Sequence, residues 1–463
     1  MYGHTHRIHF IGIGGSGMSG LAEVLLNMGY AVAGSDLKTS EVTDRIVALG
    51  GRVFVGHAAS NVEGAQVVVY SSAVRPENPE LVAARSAGIP VIARADMLAE
   101  LMRMKYGVAV GGSHGKTTTT SMVASVLSRG GMDPTIVVGG RVRAIGSNAK
   151  LGHGRFLVAE ADESDGSFLR LAPAVTVITN IDREHLDHYA NLEEIRQAFT
   201  YFANRVPFYG VSVMCVDDEH VRQILPAVTK RTLLYGTRED AEVRAARIEL
   251  LPSGSRFEVI AAGRTLGTVT LHVPGRHNVL NALAAIAIGL ELEIAFAHIA
   301  EALDGFRGVG RRFELRGEVN GVSVVDDYGH HPTEVAATLA AAKQQGGRVL
   351  VIFQPHRYSR TDALREEFGR CFGDADHVWV LDVYAAGEAP IPGVTGRTVV
   401  EAAHAAGAKH VEYVPAGPDA AAAAAAFAKP GDLILTLGAG DVSRLGEHVL
   451  GHLRSAPTGG ARA

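Results

Sequence analysis

The chain has 463 residues, of which 47% are hydrophobic and 20% are charged, a composition that excludes the disordered and fibrous classes. Its 44 basic and 49 acidic residues leave a net charge of −5, which argues against a protein that coats nucleic acid or an anionic membrane. Two cysteines, Cys215 and Cys371, are too few for a disulfide framework or a four-thiolate zinc site, and no apolar run approaches the roughly 20 residues of a membrane-spanning helix. We therefore expect a cytoplasmic protein of about three domains.

Strand-sized apolar runs alternate with helical patterns along the chain, which predicts an α/β class with parallel sheets. The first unit starts with a strand at 8–12 and continues through a glycine-rich loop. It then enters a helix whose apolar residues recur at helical spacing from Met18 to Leu25. Further strands of this sheet are predicted at 31–33, 67–70 and 91–92.

The strand–loop–helix pattern starts twice more. The second start has a short strand at 107–110 and a helix from Lys116 onward. The third follows the charged stretch 311–314, with strands predicted at 322–325, 349–353, 378–381 and 433–437 and a helix at 420–426. We place the boundaries near residues 105 and 314, which gives domains at 1–105, 106–314 and 315–463.

The first glycine-rich loop matches the dinucleotide fingerprint. Gly12, Gly14 and Gly17 have its spacing, and Asp36 follows 19 residues after the last glycine. Glycines let backbone N–H groups approach a pyrophosphate at a helix N-terminus, where the helix dipole favours anions. The pattern predicts a diphosphate site, although a tight turn that binds nothing has the same spacing. NAD, FAD and a nucleotide sugar all fit it.

The second loop, 112–117, reads Gly-Ser-His-Gly-Lys-Thr between a strand and a helix. Amides of such a loop surround phosphates, the lysine reaches the β and γ positions, and the threonine hydroxyl binds Mg²⁺. The match is imperfect, because Val110 stands where the standard motif has glycine. Lysine is scarce in this chain, with eight lysines against 36 arginines, so Lys116 in this context predicts an ATP site.

Two acid-rich loops follow predicted strands of the same domain. The segment 159–165 carries four carboxylates, and 180–188 contains His185 among acidic residues. Packed carboxylates repel each other unless a cation or hydrogen bonds compensate. A solvated acidic turn is the alternative, but beside a phosphate loop we expect at least one of these acids to bind Mg²⁺. His185 would be a metal ligand or a general base.

Three later segments gather polar side chains near helix or strand ends. The segment 274–278, with Asn281, precedes an apolar helix and could be an N-cap. The segments 326–332 and 354–360 each follow a predicted strand of the third unit. Ligands of open α/β sheets bind beyond the carboxyl ends of strands, so we expect these two loops to form a site.

Taken together and in this order, the segments resemble the Mur ligases of peptidoglycan synthesis over nearly the whole chain. The motifs that carry the resemblance are 12–22, 94–102, the phosphate loop through Thr120, 160–168, 277–281, 311–313, 326–332 and 353–361. The resemblance implies a Rossmann-like N-terminal domain that binds a UDP substrate. It also implies a central P-loop ATPase-like domain with a mainly parallel sheet and a Rossmann-like C-terminal lid. The first glycine loop would then bind the UDP diphosphate.

The resemblance also implies roles for individual residues. ATP would be bound by Gly112, Ser113, His114, Gly115, Lys116, Thr117, Thr118, Asn281, Arg312 and Asp327. Two magnesium ions would be held by Thr117, Glu160 and His185, and the catalytic residues would be Lys116, Glu160 and His185. The UDP substrate would contact Gly14, Gly15, Ser16, Gly17, Asp36, Ser71, Ser72 and Arg94. His356, Arg357 and Arg360 would face the substrate carboxylate or the incoming amino acid.

One departure from sister ligases narrows the expected activity. Several of them carry a carbamylated lysine downstream of the metal-binding histidine, whereas no lysine lies between Lys150 and Lys230 here. This absence fits the branch that joins L-alanine to UDP-N-acetylmuramate through an acyl phosphate. We expect the enzyme to be a monomer or a weak dimer. The alternatives are an NAD(P)-dependent dehydrogenase, a ligase that recycles a tripeptide onto the same sugar nucleotide, and a non-catalytic ATP-gated binding module.

Overall fold

The structure, a computed structural model, describes residues 7–71, 73–142 and 147–455. Within these ranges the strands form three mostly parallel sheets, one after another along the chain, which confirms the predicted α/β architecture. The chain leaves the first sheet through a helix that ends at Arg103, and the third sheet starts at Glu314. The boundaries near 105 and 314 stay predictions.

The first sheet has the strand order β3-β2-β1-β4-β5 and its paired strands are parallel. Its strands are β1 (Arg7–Ile11), β2 (Ala31–Asp36), β3 (Arg52–Val55), β4 (Val67–Tyr70) and β5 (Val91–Ala93). Its helices are α1 (Ser16–Asn27), α2 (Glu41–Ala48), α3 (Pro79–Ser86) and α4 (Arg94–Arg103). This order places the β1–α1 glycine loop at the point where the strand order reverses, which is where such sheets bind ligands.

The second sheet has the order β15-β14-β13-β12-β11-β10-β6-β9-β7-β8. Its strands are β6 (Tyr106–Gly111), β7 (Thr135–Val142), β8 (Ser147–Lys150), β9 (Phe156–Glu160), β10 (Val175–Ile178), β11 (Val211–Cys215), β12 (Thr232–Gly236), β13 (Val243–Leu251), β14 (Gly254–Ala261) and β15 (Arg264–Leu271). Its helices are α5 (Lys116–Arg129), α6 (Leu192–Ala203), α7 (Glu219–Ile224), α8 (Arg276–Glu291) and α9 (Phe296–Asp304). The pairs β13–β14, β14–β15 and β7–β8 are antiparallel and the other neighbours are parallel.

The third sheet has the order β16-β17-β21-β18-β19-β20, with β16 antiparallel at one edge. Its strands are β16 (Glu314–Val319), β17 (Val322–Asp327), β18 (Val349–Phe353), β19 (His377–Val380), β20 (Val411–Tyr413) and β21 (Leu433–Leu437). Its helices are α10 (Pro332–Lys343), α11 (Tyr358–Ala363), α12 (Arg365–Arg370), α13 (Gly396–Ala405), α14 (Gly417–Phe427) and α15 (Leu445–Ser455).

Burial explains how the central sheet is held. Helix α8 buries nearly every residue from Asn278 to Gly289 and packs against α5, because its apolar side chains cover most of its circumference. The central strands β6 and β10 are likewise buried along almost their whole length, as is typical of parallel strands covered on both faces. In the described part of the chain, none of the helices has both the length and the apolar character needed to cross a membrane.

The strand order brings the predicted site loops together. Strand β6 pairs with β9 on one side and with β10 on the other, so that Gly111 aligns with Ile178, and Val110 with Glu160. The phosphate loop and both acid-rich loops follow these three parallel strands. They therefore leave the sheet side by side at its carboxyl edge.

Candidate active site

The phosphate loop occupies the turn between β6 and α5, and Lys116 is the first residue of the helix. Gly112 and Gly115 have φ of +133° and +82°. A Cβ at Gly112 would lie 2.0 Å from Thr179 Oγ1, and one at Gly115 would lie 2.6 Å from Asn281 Oδ1, so both positions require glycine. Val110 lies inside β6 and is buried, so the loop forms without the glycine that the standard motif has there.

Lys116 is held by three acceptors. Its Nζ donates to the carbonyl oxygens of Gly112 at 2.6 Å and Ser113 at 3.0 Å, and to Glu163 Oε1 at 2.8 Å. Burial lowers the pKa of Lys116, but the nearby carboxylates, led by Glu163, outweigh it and raise that pKa. The ammonium is therefore charged and fixed at the mouth of the phosphate loop.

His185 lies close to Glu163 and Glu184. Its Nε2 is 3.3 Å from Glu163 Oε1, and one candidate ligand atom from each of the three residues lies within 4.8 Å of the others. Burial lowers the pKa of His185, but the contact with Glu163 and the charge of Glu184 outweigh it and raise that pKa. The residues predicted to hold magnesium, Thr117, Glu160 and His185, line one cavity of about 950 Å³ together with Lys116.

Glu163 and Glu184 are not among the site residues predicted from the sequence. Both belong to the acid-rich loops, where several carboxylates in a row look alike. Their burial distinguishes them, since both side chains are largely covered whereas those of Asp162 and Asp165 are not.

His114 connects the phosphate loop to the third unit. Its Nε2 donates to Asp182 Oδ2 at 2.9 Å, and its Nδ1 lies 3.3 Å from Glu334 Oε1. Burial lowers the pKa of His114, but Asp182 and Glu334 outweigh it and raise that pKa to about 10. Thr333 Oγ1 donates to the same Asp182 Oδ2 at 2.6 Å. Asp182, Thr333 and Glu334 were also missed, because only the fold brings these distant segments together.

A second cavity, of about 410 Å³, lies beside the phosphate loop and is lined by several of the predicted ATP contacts. These are His114, Gly115, Thr118, Asn281, Arg312 and Asp327. Asn281 Oδ1 accepts a hydrogen bond from Thr119 Oγ1 at 3.0 Å, which fixes the amide toward α5. Asp327 accepts from the backbone N–H groups of Phe313 and Gly329, both at 2.7 Å, so its carboxylate is held at the cavity wall.

His356, Arg357 and Arg360 line the larger cavity from the side of the third unit. Arg360 Nη2 donates to Glu184 Oε1 at 2.9 Å, and Arg357 Nη1 donates to Asp187 Oδ2 at 3.0 Å. Burial, followed by the charge of the nearby His330 and Arg360, lowers the pKa of His356 to about 3, so its imidazole is neutral. Both arginines thus already pair with carboxylates of the second unit.

The predicted UDP contacts lie around the β1–α1 loop. Asp36 Oδ2 accepts from the backbone N–H of Gly14 at 2.8 Å, so this acid supports the loop itself. Arg94 borders Gly17, where a Cβ would lie 3.0 Å from its Nη1, and its Nη2 donates to Asp162 Oδ2 at 3.4 Å. Gly15 precedes α1, which begins at Ser16, and Ser71 follows β4. Ser72 lies outside the described residues.

Comparisons with known proteins follow the same three-part division. The family description "Mur ligase family, catalytic domain" matches residues 7–106, "Mur ligase middle domain" matches 110–289, and "Mur ligase, glutamate ligase domain" matches 311–440. A protein of Desulfosudis oleivorans named UDP-N-acetylmuramate–L-alanine ligase is 55% identical over 452 residues, which cover 97% of this chain and 99% of the relative. A protein of Geobacter sp. with the same name is 56% identical over 458 residues, covering 98% and 99%.

A solved structure supports the comparison at the level of the fold. The UDP-N-acetylmuramate–alanine ligase of Thermotoga maritima has a TM-score of 0.80 and 31% sequence identity, and the match covers 97% of this chain and 99% of that chain.

Proposed function

The chain belongs to the Mur ligase family, and we propose that it joins L-alanine to the lactyl carboxylate of UDP-N-acetylmuramate with cleavage of ATP to ADP and phosphate. The observation that carries the proposal is the meeting of four loops in one cavity. Lys116 enters it from the phosphate loop, Glu160 and His185 from the acid-rich loops, and Arg357 and Arg360 from the third unit. Such a cavity has the parts that phosphoryl transfer to a carboxylate needs.

The residues present fit magnesium. A threonine hydroxyl and carboxylate oxygens are the ligands that Mg²⁺ prefers, and Thr117 and Glu160 supply them beside Lys116. We assign Thr117, Glu160 and His185 to two ions. When bound, such ions neutralise charge that develops on the transferred phosphoryl group.

The chain's own residues then act as follows. The amides of the phosphate loop and the ammonium of Lys116 hold the β and γ phosphates in line with the substrate carboxylate. An oxygen of that carboxylate attacks the γ-phosphorus, the bond to the bridging oxygen breaks, and ADP leaves. The neutral amine of L-alanine attacks the carbonyl carbon of the resulting acyl phosphate, phosphate leaves, and the amine loses its proton. Asn281 contacts adenine, Asp327 the ribose hydroxyls, and Arg312 the polyphosphate.

The third unit excludes water from the acyl phosphate. The pairs Arg360–Glu184 and Arg357–Asp187 join it to the second unit at the wall of the cavity. We assign His356, Arg357 and Arg360 to binding of the substrate carboxylate or the incoming amino acid. The UDP part of the substrate is assigned to a second set of residues in the first unit, namely the loop Gly14–Gly17, Asp36, Ser71, Ser72 and Arg94. A closed lid protects a water-sensitive intermediate, which is the usual role of such closure.

The test is phosphate release from ATP and Mg²⁺, with UDP-N-acetylmuramate and L-alanine omitted one at a time. Release that requires both substrates supports the proposal, and release with neither, or none with both, contradicts it. If tripeptide can replace L-alanine in supporting phosphate release, the chain is the recycling ligase instead. Quenching of nicotinamide fluorescence on mixing would favour the dehydrogenase, and binding of ATP without any phosphate release would favour the non-catalytic module.

A further inference from the structure

Glu163 has a buried carboxylate, and its backbone carbonyl oxygen accepts hydrogen bonds from residues that directly follow the two acid-rich loops. Its side chain is 2% exposed. Its carbonyl oxygen accepts from the backbone N–H of Gly166 at 3.0 Å and from the Tyr189 hydroxyl at 2.7 Å. Tyr189 follows the His185 loop, so these bonds fix the position of Glu163 relative to His185. The carboxylate therefore has a defined place beside Lys116 and His185.

The two oxygens of this carboxylate differ. Oε1 lies 2.8 Å from Lys116 Nζ and 3.3 Å from His185 Nε2. Oε2 is buried and has no hydrogen-bond partner among the residues that the structure describes. A buried acceptor without a partner is costly, and more so when it is charged, so this oxygen is available as a ligand atom.

Lys116 cannot keep its present contacts and also bind ATP. An ammonium has three N–H donors, and those of Lys116 have three acceptors at hydrogen-bond distance, Gly112, Ser113 and Glu163. Reaching the β and γ phosphates therefore requires the release of at least one acceptor. When phosphate charge arrives beside Glu163, the two anions repel each other unless a cation lies between them.

Glu184 is less available than Glu163 for that cation. It accepts from Arg360 Nη2 at 2.9 Å, and its Oε1 also lies 3.6 Å from His330 Nε2. Glu163, Glu184 and His185 nevertheless bring their ligand atoms within 4.8 Å of one another. The Glu163 carboxylate thus lies next to His185 and keeps one oxygen, Oε2, without a hydrogen-bond partner among the described residues, so a cation can take that oxygen without displacing an existing contact.

We propose that Glu163 holds Lys116 in the nucleotide-free enzyme and becomes a ligand of the divalent cation beside His185 when Lys116 turns to the ATP phosphates. This role rests on the proposed ATP-dependent chemistry but not on the identity of its two other substrates. Glu163 thereby couples nucleotide binding to loading of the second metal site. In the absence of nucleotide, the ammonium of Lys116 competes with the cation for the same carboxylate.

The test counts bound Mn²⁺ by electron paramagnetic resonance with a non-hydrolysable ATP analogue and neither of the other substrates. We compare the wild type with Glu163→Gln, which keeps the shape of the side chain but removes its charge. Glu193→Gln is the matched control, because Glu193 lies on α6 with its side chain 63% exposed. The wild type and the control should bind two Mn²⁺ ions. Glu163→Gln should bind the second at least about tenfold more weakly.

A second variant tests the competition directly. Lys116→Met should raise the affinity for Mn²⁺ in the absence of nucleotide, and the double variant Lys116→Met/Glu163→Gln should lose that gain. If Glu163→Gln does not fold, Glu163→Asp keeps the charge, withdraws the carboxylate by one methylene group and should weaken the second ion in the same way.

The assignment would be overturned if Glu163→Gln bound two Mn²⁺ ions with the affinities of the wild type, or if the wild type bound only one Mn²⁺ ion. These measurements use no ligase substrate, so their failure is distinct from a failure of the phosphate-release test of the proposed function.

Discussion

Nε2 of His114 donates to Oδ2 of Asp182 at 2.9 Å, which ties the phosphate loop to the acid-rich loop after β10. The same Asp182 oxygen accepts from Thr333 Oγ1 at 2.6 Å, and the ring of His331 lies with its centroid 4.8 Å from that of His114. Asp182 therefore stands between the phosphate loop and the N-terminus of α10 in the third unit. We expect a change in the loop on ATP binding to reach the third unit through this contact.

We expect the free energy of unfolding to depend on the charge of His114. Its pKa is raised from 6.5 to about 10, so its contribution to stability is complete below pH 6.5 and disappears as the pH rises through 10. His114→Gln should therefore be less stable than the wild type at pH 6 by at most about 5 kcal/mol, and the difference should shrink toward pH 10. Urea unfolding between pH 6 and 10 measures it. His298→Gln, at an exposed position of α9, is the control. A difference that does not change with pH would show that His114 is not the charged partner.

Lys116→Ala should abolish phosphoryl transfer and leave binding of the UDP substrate nearly intact. Lys116 lies in the cavity of the second unit, whereas the UDP substrate is assigned to the β1–α1 loop of the first. The loss of one preorganised charge at a reacting phosphate is expected to cost on the order of 100-fold or more in rate. Single-turnover phosphate release and calorimetric titration with UDP-N-acetylmuramate give the two quantities. Lys409→Ala, at an exposed position, is the control. Equal loss of both properties would show that the site is wrongly assigned.

Local patterns were sufficient to predict much of the fold and the phosphate loop. Buried parallel strands such as β4, β18 and β21 have continuous apolar runs, and their predicted bounds are confirmed. The antiparallel run β13–β15 was not predicted. Much of β13 is exposed and its apolar residues do not form a continuous run, so it lacks the signal that marked the other strands.

The contacts of the site were less accessible from sequence. Lys116 and Glu163 are 47 residues apart, and Thr333 is 151 residues from Asp182. No periodicity relates residues at such distances, because the order of strands in the sheets decides which loops meet. The sequence therefore indicated the loops that form the site but not the pairs within them.

Gly115→Ala should weaken ATP binding more than the same glycine-to-alanine change at an open position in another helix. Gly115 has φ of +82°, where a side chain costs roughly 1–2 kcal/mol, and the new Cβ would lie 2.6 Å from Asn281 Oδ1. Asn281 must then move away from Thr119, its hydrogen-bond partner, and out of its place in the cavity of the predicted adenine site. Fluorescent nucleotide binding measures the loss. Gly451→Ala, where α15 leaves open space, is the control and should bind normally. Unchanged affinity in Gly115→Ala would argue against nucleotide binding at this loop.

Glu80→Gln should weaken binding of the UDP substrate although Glu80 does not face the cavity. Glu80 is fully buried on α3, and its carboxylate accepts from Ser35 Oγ at 2.6 Å and lies 3.3 Å from His9 Nε2. The carbonyl oxygen of Ser35 in turn accepts from the N–H groups of Gly12 and Ile13, so Glu80 supports the glycine loop through Ser35.

Burial raises the pKa of Glu80, but its hydrogen bonds, first that with His9, outweigh it and lower that pKa. The carboxylate therefore stabilises the fold fully above pH 4.5, and this contribution is lost as the pH falls from 4.5 through the lowered pKa of the folded state. Removing the charge should cost about 1–3 kcal/mol of unfolding free energy and raise KM for UDP-N-acetylmuramate more than it lowers kcat. Denaturant unfolding at pH 7 and at pH 4 measures the loss of stability, and steady-state kinetics measures the change in KM. Glu63→Gln, at an exposed position of the first unit, is the control. A Glu80→Gln enzyme with unchanged KM would mean that Glu80 supports the fold but not the glycine loop.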